Sequence, residues 1–460
     1  MKKYIALSAV TFGLMSSVNV YADADDISSM FSDGKVSGQI REFSISRSVD
    51  DSRLSKQDYT RKANAIGGYL KFETANYNGF SLGSAFYTTN GFLNDSPKDD
   101  YTQVDPTLLG KDNDSYSLLG EAYLQYKLDN TTLKIGRQKL ATPLAGGDDA
   151  RMLPNLFEAY LLTNTDISNT TLILAHVNKF AQGTFGRAYG AGGILGVTSG
   201  YSAVDASNRV GEFVNMGEYA VGTKTDGVTV VGASYKNGAF KAQVWDYYAH
   251  DILNAIYADA NFSWTCLLND NIKPFASAQI ISQNDVGDKL LKNLGGTGEI
   301  NSFYYGLKLG AKLENITAYL AYSKTDENSA TDTSYANAII SPWGGMPAYT
   351  QGMVTRHIFL AGTEAKKIAL SYNFKDMGAD VKVVAYHATY EMADNNGYTQ
   401  ADAKESGFDI IYNTDFIKNL QLRFRGNFAD DFYVKTTDVD VTKNGSVSWD
   451  EYRFIANYSF

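Results

Sequence analysis

From residue 36 to the end of the chain, apolar and polar residues alternate with a period of two, and this constrains the fold more than any other feature. Successive side chains of a strand point to opposite faces, so each such segment is a strand with one apolar and one polar side. Between 420 and 428, Leu422, Phe424 and Phe428 share one face and Gln421, Arg423, Arg425 and Asn427 the other. Between 118 and 128, Ala122, Leu124, Tyr126 and Leu128 oppose Glu121, Tyr123, Gln125 and Lys127. Between 303 and 312, Phe303, Tyr305, Leu307 and Leu309 oppose Tyr304, Gly306, Lys308, Gly310 and Lys312. The pattern predicts about eighteen strands, the first over 36–46 and the last over 448–460, an even number suited to antiparallel closure.

The joins between segments are as informative as the segments. Those after even-numbered strands are short, as at Asn78–Gly79, Asp129–Asn130, 166–169, Asn237–Gly238, Glu314 and 415–417. The two Asn-Gly pairs suit the left-handed φ values of type I′ hairpins. Joins after odd-numbered strands are long, at 90–116, 179–227, 284–301, 324–365 and 430–447, with 249–251 as a short exception. Short turns on one rim and long loops on the other are the asymmetry of an all-β transmembrane antiparallel barrel. A mean hydropathy of -0.26 fits this reading, because averaging over both faces hides an apolar wall.

The chain opens with Lys2 and Lys3, a short apolar run over 4–20, and Val20-Tyr21-Ala22 before Asp23-Ala24-Asp25-Asp26. This predicts a secretory signal peptide over 1–22, cleaved after Ala22 or after Ala24, and a single barrel domain over 23–460. The run is shorter than the roughly 20 residues of a spanning helix. A lone Cys266 excludes an internal disulfide and reads as a wall-packed thiol. The net charge of -10 and pI near 5 argue against nucleic acid as a partner. On the last strand Tyr452, Phe454, Ala456, Tyr458 and Phe460 share a face, opposite Arg453, Asn457 and Ser459. An amphipathic last strand ending in an aromatic residue resembles substrates of the barrel-assembly machinery of Gram-negative bacteria, which would place the chain in the outer membrane, among its lipid and lipopolysaccharide.

Residues 133–154 read LKIGRQKLATPLAGGDDARMLP, and the tail carries Lys418-Asn419-Leu420-Gln421-Leu422-Arg423-Phe424-Arg425 and Asp450-Glu451-Tyr452-Arg453-Phe454. These stretches resemble the entry to the third loop and the final strands of the OprD family of outer-membrane porins. The resemblance implies an eighteen-stranded monomeric barrel, with a trimer as the alternative, whose inward third loop narrows the lumen. It also implies a basic track guiding carboxylate-bearing solutes such as amino acids, small organic acids or peptides. Carried over by position, that track includes Arg423, Arg425 and Arg453, and alternation adds Arg41, Lys308 and Lys312. His387 stands where the family often places an arginine, on a strand whose wall-facing set reads as Val384, Tyr386, Ala388 and Tyr390. Fixed guanidinium groups replace a carboxylate's lost water with planar paired hydrogen bonds. Several weak sites in a row permit entry without trapping. Asp148, Asp149 and Glu158 would face the cationic part of a solute, although the aspartates read equally as turn residues. Arg151 lines the constriction in this reading, or else pins the loop to the wall.

Enzyme chemistry fares poorly. His176, His250, His357 and His387 are scattered, and neither an H-E-x-x-H zinc motif nor a G-x-S-x-G elbow is present. The glycine-rich 190–196 lacks the strand, helix and acid of a dinucleotide unit. Asp112-Asn113-Asp114-Ser115 starts like a calcium loop, but Ser117 and Tyr123 replace the glycine and glutamate that such a loop needs. No cofactor or metal is therefore expected. The competing reading is a structural or adhesive barrel with a blocked lumen and partner-binding loops at 179–227 and 324–365. A β-solenoid would need a fixed short repeat, which the chain lacks.

Overall fold

A computed structural model describes residues 23–54, 58–93, 100–190, 192–204, 209–436, 439 and 444–460. The predicted signal peptide lies outside the described residues. The strands are β1 (Lys35–Asp51), β2 (Tyr59–Glu73), β3 (Phe80–Gly91), β4 (Tyr116–Leu128), β5 (Thr131–Gln138), β6 (Leu156–Asn164), β7 (Thr170–Ala181), β8 (Val214–Asn215) and β9 (Val228–Asn237). They continue as β10 (Phe240–Ala249), β11 (Leu253–Ser263), β12 (Ile272–Asp285), β13 (Asn301–Leu313), β14 (Ile316–Thr325), β15 (Glu364–Asn373), β16 (Val381–Glu391), β17 (Ala403–Asn413), β18 (Leu420–Lys435) and β19 (Gly445–Ser459). Each pairs antiparallel with its neighbour, β7 pairs directly with β9, and β1 pairs with β19, so eighteen strands close a barrel. The two-residue β8 adds only to the upper end of β7.

All eighteen expected segments are barrel strands. The alternation also holds, since Leu307, Leu309, Leu320, Phe424 and Phe454 face outward and are exposed, whereas Tyr304, Asn427 and Arg453 face inward and are buried. Several strands outrun their expected ends, β1 by five residues to Asp51 and β18 to Lys435. Beyond the apolar belt both faces become polar, as at Ser48, Asp50 and Asp51, so the periodicity fades although the hydrogen-bond ladder continues. The short 249–251 join is real, because β10 and β11 are linked by 250–252 alone. At Asn78–Gly79 both residues are left-handed, with φ of 52° and 87°. At the second Asn-Gly pair, Asn237 instead ends β9 and Gly238 alone is left-handed, at 53°, which shifts that turn by one residue.

Three long loops fold inward. The third loop, residues 139–155, crosses the lumen, where its Leu144 N–H donates to Tyr247 Oη of β10 (3.2 Å) and its Gly146 N–H donates to Trp343 O (3.0 Å). Trp343 belongs to loop 326–363, whose Ser341 and Gly344 N–H groups donate to Val197 and Gly200 of loop 182–227. These loops and the inward side chains of β9–β16 form one apolar core inside the barrel, including Trp245, Tyr247, Tyr257, Ile281, Tyr304, Trp343 and Tyr390. Two short helices, α1 (Ile194–Thr198) and α2 (Met216–Val221), sit within that core.

Candidate functional site

The loop core fills one side of the lumen and leaves the wall of β17–β19 and β1–β5 lined with charge. On β18, Arg423 Nε donates to Asp409 Oδ1 of β17 (2.8 Å), its terminal nitrogen reaches Oδ2, and Arg425 lies 3.3 Å from the same carboxylate. On β1, Arg41 binds Asp149 of the third loop through two nitrogens (2.6 and 3.0 Å), and also donates to Arg151 O (2.5 Å) and Asn457 Oδ1 (2.8 Å). Burial pushes the Asp149 carboxyl up, but Arg41, with Lys139 and Arg423 farther off, outweighs this and holds it below the usual carboxylate range. Half of the Asp149 side chain and a quarter of Arg423 remain exposed, so the carboxylate and the guanidinium face each other in the open part of the lumen.

Arg453 and Arg151 behave differently. Glu451, fully buried, receives Arg47, Arg151 (3.0 Å) and Arg453, and Arg151 also donates to Thr107 Oγ1 (2.9 Å). Arg151 therefore pins the third loop to the wall, the second of the two roles open to it, and Arg453 holds the hub in which it sits. Asp148 turns to the far side, accepting from Arg356 (2.8 Å) and from Tyr201 Oη (2.7 Å). Its φ of 34° lets consecutive aspartates anchor the loop on opposite sides.

The family profile of the outer membrane porin, OprD family, matches residues 29–460. The chain belongs to the OprD family of outer-membrane porins. Among solved structures it is similar to Pseudomonas aeruginosa OccK9 (OpdG), at TM-score 0.70 and 20% identity over 94% of this chain and 99% of that one. It is similar to Acinetobacter baumannii OccAB3, at TM-score 0.70 and 18% identity over 93% and 99%. It is also similar to Pseudomonas aeruginosa OpdK with vanillate, at TM-score 0.69 and 15% identity over 93% and 98%. No curated protein sequence matches it significantly. An OprD-family porin with this barrel resides in the outer membrane.

Two expectations need correction within this porin frame. Glu158 lies on β6 in the outward register of Tyr160, next to Lys179 (3.0 Å) and Arg137 (3.8 Å), because the inward row of buried Phe157, Ala159 and Leu161 alternates past it unbroken. It does not face the lumen. On β16, Val384, Tyr386, Ala388 and Tyr390 are the buried inward set, and His387 is the outward residue, bonded to Ser406 Oγ (2.9 Å). Apolar side chains point inward there because loop 326–363 covers them: Glu405 of β17 accepts the N–H groups of Met353, Val354 and Thr355, and Tyr386 Oη bonds the same carboxylate.

Lys308 and Lys312 do face the lumen, but on β13, five strands round the porin barrel from β18. The charged wall includes side chains that the sequence reading passed over. Arg61 approaches buried Asp105 (3.2 Å), Lys71 binds Glu121 (3.2 Å), Lys134 lies over the Tyr123 ring (4.2 Å) and Lys139 over Tyr69 (4.4 Å). Parity could have found three of them, because Arg61 and Lys71 share the register of Ala63 and Ala65, and Lys134 that of buried Gln138; it could also have found Arg47, in the register of Arg41, Phe43 and Ile45.

Proposed function

We propose that this porin passes small carboxylate-bearing solutes by passive, partly selective diffusion, along the guanidinium groups of Arg423, Arg425 and Arg41 and past the third loop at Asp149. The observation that carries this reading is the partly exposed Arg423 guanidinium set against the half-exposed Asp149 carboxylate of the third loop, which buried Arg41 holds in place, a geometry that offers an anion one side of the passage and a cationic group the other. Above it, a cavity of about 240 Å³ is lined by Arg47, Arg53, Arg61 and the rings of Tyr59, Tyr398 and Trp449, with no carboxylate among its lining residues. Trp449 Nε1 is buried there without a hydrogen-bond partner. Such a vestibule suits a flat acid whose ring stacks while its carboxylate meets guanidinium, and the vanillate bound by the related OpdK is an acid of that kind. Single-channel recording and liposome uptake with a panel of aromatic, aliphatic and amino acids test the reading. Carboxylate-dependent current steps are expected, and a barrel that passes none of them sinks it.

A closed, adhesive barrel is disfavoured because loops 182–227 and 326–363 pack on each other and on the wall, which draws them away from outside partners. The signal peptide over 1–22, a monomeric state, lipopolysaccharide contact and delivery by the barrel-assembly machinery belong to the same proposal. The last is supported by the outward, exposed row Tyr452, Phe454, Tyr458 and Phe460.

A further inference from the structure

The four histidines are scattered in the sequence, yet the fold brings two of them together on the outer wall. His176 of β7 and Tyr248 of β10 are cross-strand partners of one residue, Thr229 of β9. His250 lies just past the end of β10, where its backbone N–H donates to Gly227 O (3.1 Å) and continues the ladder. His176 shares the parity of exposed Leu172 and Leu174, and Thr229 that of exposed Val231. His250 follows the parity of exposed Tyr248, whose ring meets it edge to face with centroids 5.0 Å apart. All three side chains therefore face away from the lumen. They stand at the external rim, since β9 and β10 join at their other ends through the short turn at Gly238.

The two imidazoles aim nitrogen at one point. His176 Nδ1 lies 3.1 Å and His250 Nε2 3.2 Å from Thr229 Oγ1, and the ring centroids are 6.1 Å apart. A hydroxyl carries one proton, so it donates to one ring and accepts from the other. Among the described residues, neither His176 Nε2 nor His250 Nδ1 makes a hydrogen bond. Each ring can therefore hold its N–H on that far nitrogen and turn a lone pair toward its neighbour. With metal–nitrogen distances of about 2.1 Å, two imidazoles on one ion stand roughly 5–6 Å apart between centroids. The observed separation lies at the upper end of that range, so small side-chain rotations close the chelate. No group of three or more His, Cys, Asp or Glu gathers among the described residues, so the ion keeps open positions for water.

We propose that His176 and His250 form a site for a borderline transition-metal cation such as Cu2+, Zn2+ or Ni2+, which clips β7 to β10 across β9. Imidazole nitrogen selects these ions over Mg2+ and Ca2+, which take oxygen ligands. No local motif announces the site, because three strands assemble it. It stands outside the conduction path and does not depend on what the channel passes.

The test is calorimetric titration of the tag-free chain in detergent with CuCl2, ZnCl2 or MgCl2, in a Cys266→Ser background that removes its one thiol. Saturable binding of one ion per chain is expected, tightest for Cu2+ and absent for Mg2+. The electron paramagnetic resonance spectrum of the copper form should show nitrogen hyperfine coupling. His176→Ala and His250→Ala should each weaken binding more than about 10-fold, because losing a ligand costs at least as much as losing an outer-shell partner. His387→Ala, also on the outer wall, should leave it unchanged. ZnCl2 should raise the temperature of the heat-dependent gel shift in the wild type, but not in the double variant His176→Ala with His250→Ala. Undiminished binding in that double variant overturns the site, and so does the absence of saturable Cu2+ binding by a barrel that still shows the gel shift.

Discussion

Two sides of one lumen are built from the same alternating strands and end in opposite states. On the wall of β17–β19 and β1–β5, the inward register carries arginine, lysine and buried carboxylates, and part of it stays open. On β9–β16, the upper inward register carries Trp245, Tyr247, Tyr304 and Tyr390, and two loops cover it with an apolar core. The contrast shows that alternation fixes which residues point inward and leaves open what they meet there. Where they meet a loop, hydrophobic packing sets the local stability. Where they meet water, paired charges do.

The sharpest way to break the contrast is at Glu451, which alone collects Arg47, Arg151 and Arg453. Glu451→Gln removes the carboxylate and leaves buried guanidinium groups facing one another, a change that costs about 3–5 kcal/mol. The third loop should lose its anchor, visible as noisier single-channel current and a lower temperature for the shift in gel migration that marks barrel unfolding. On the other side, Trp343→Ala opens a cavity in the loop core and costs about 3–5 kcal/mol, toward the lower end if the loops collapse into the space. That variant should lower the unfolding temperature while leaving selectivity among carboxylates unchanged. A selectivity change as large as that of Glu451→Gln would show that the two sides are not separable.

The barrel was legible in the sequence because a membrane wall forces one face of every strand to be apolar, and turn chemistry at Asn78–Gly79 marks the rim. Arg423, Arg425 and Arg41 were legible for the same reason, as polar exceptions on the inward parity. His387 was misread because parity needs an outside reference, and on β16 both faces carry apolar residues. Glu158 was misplaced because it reads as part of the third loop, whereas β6 already begins at Leu156. Asp409, Glu405 and Glu451 carried no local signal, since their partners come from a neighbouring strand or from loops distant in sequence. The separation of Lys308 and Lys312 from the arginine track depends on barrel closure, which no local pattern encodes.

Smaller effects separate transport from stability. Arg423→Ala with Arg425→Ala should reduce carboxylate uptake about 10- to 100-fold, the range for losing charge-assisted hydrogen bonds worth about 1.5–3 kcal/mol. Because Asp409 would be left buried and unpaired, Asp409→Asn should be added. Uptake should stay low in the triple variant while the unfolding temperature recovers. Unchanged uptake of every carboxylate would remove these arginines from the path.

The smallest effect belongs to the loop-filled side. His357, in loop 326–363, is buried against Tyr398 and Phe432, and its Nε2 donates to Phe432 O (2.7 Å) while Nδ1 has no partner. Burial pushes the imidazole down to about 4, with the Phe432 carbonyl opposing the shift. An unfolded histidine takes up a proton near pH 6.5, so between about 6.5 and 4 the undocked loop binds a proton that the docked loop refuses. Docking is therefore at full strength above pH 6.5 and weakens as the pH falls toward 4, by at most about 1.4 kcal/mol per pH unit. Limited proteolysis of loop 326–363 should accelerate from pH 7 to pH 5 in the wild type. In His357→Phe, which cannot charge, the rate should be flat over the same range, and an unchanged pH dependence in that variant would place the sensitivity on another group.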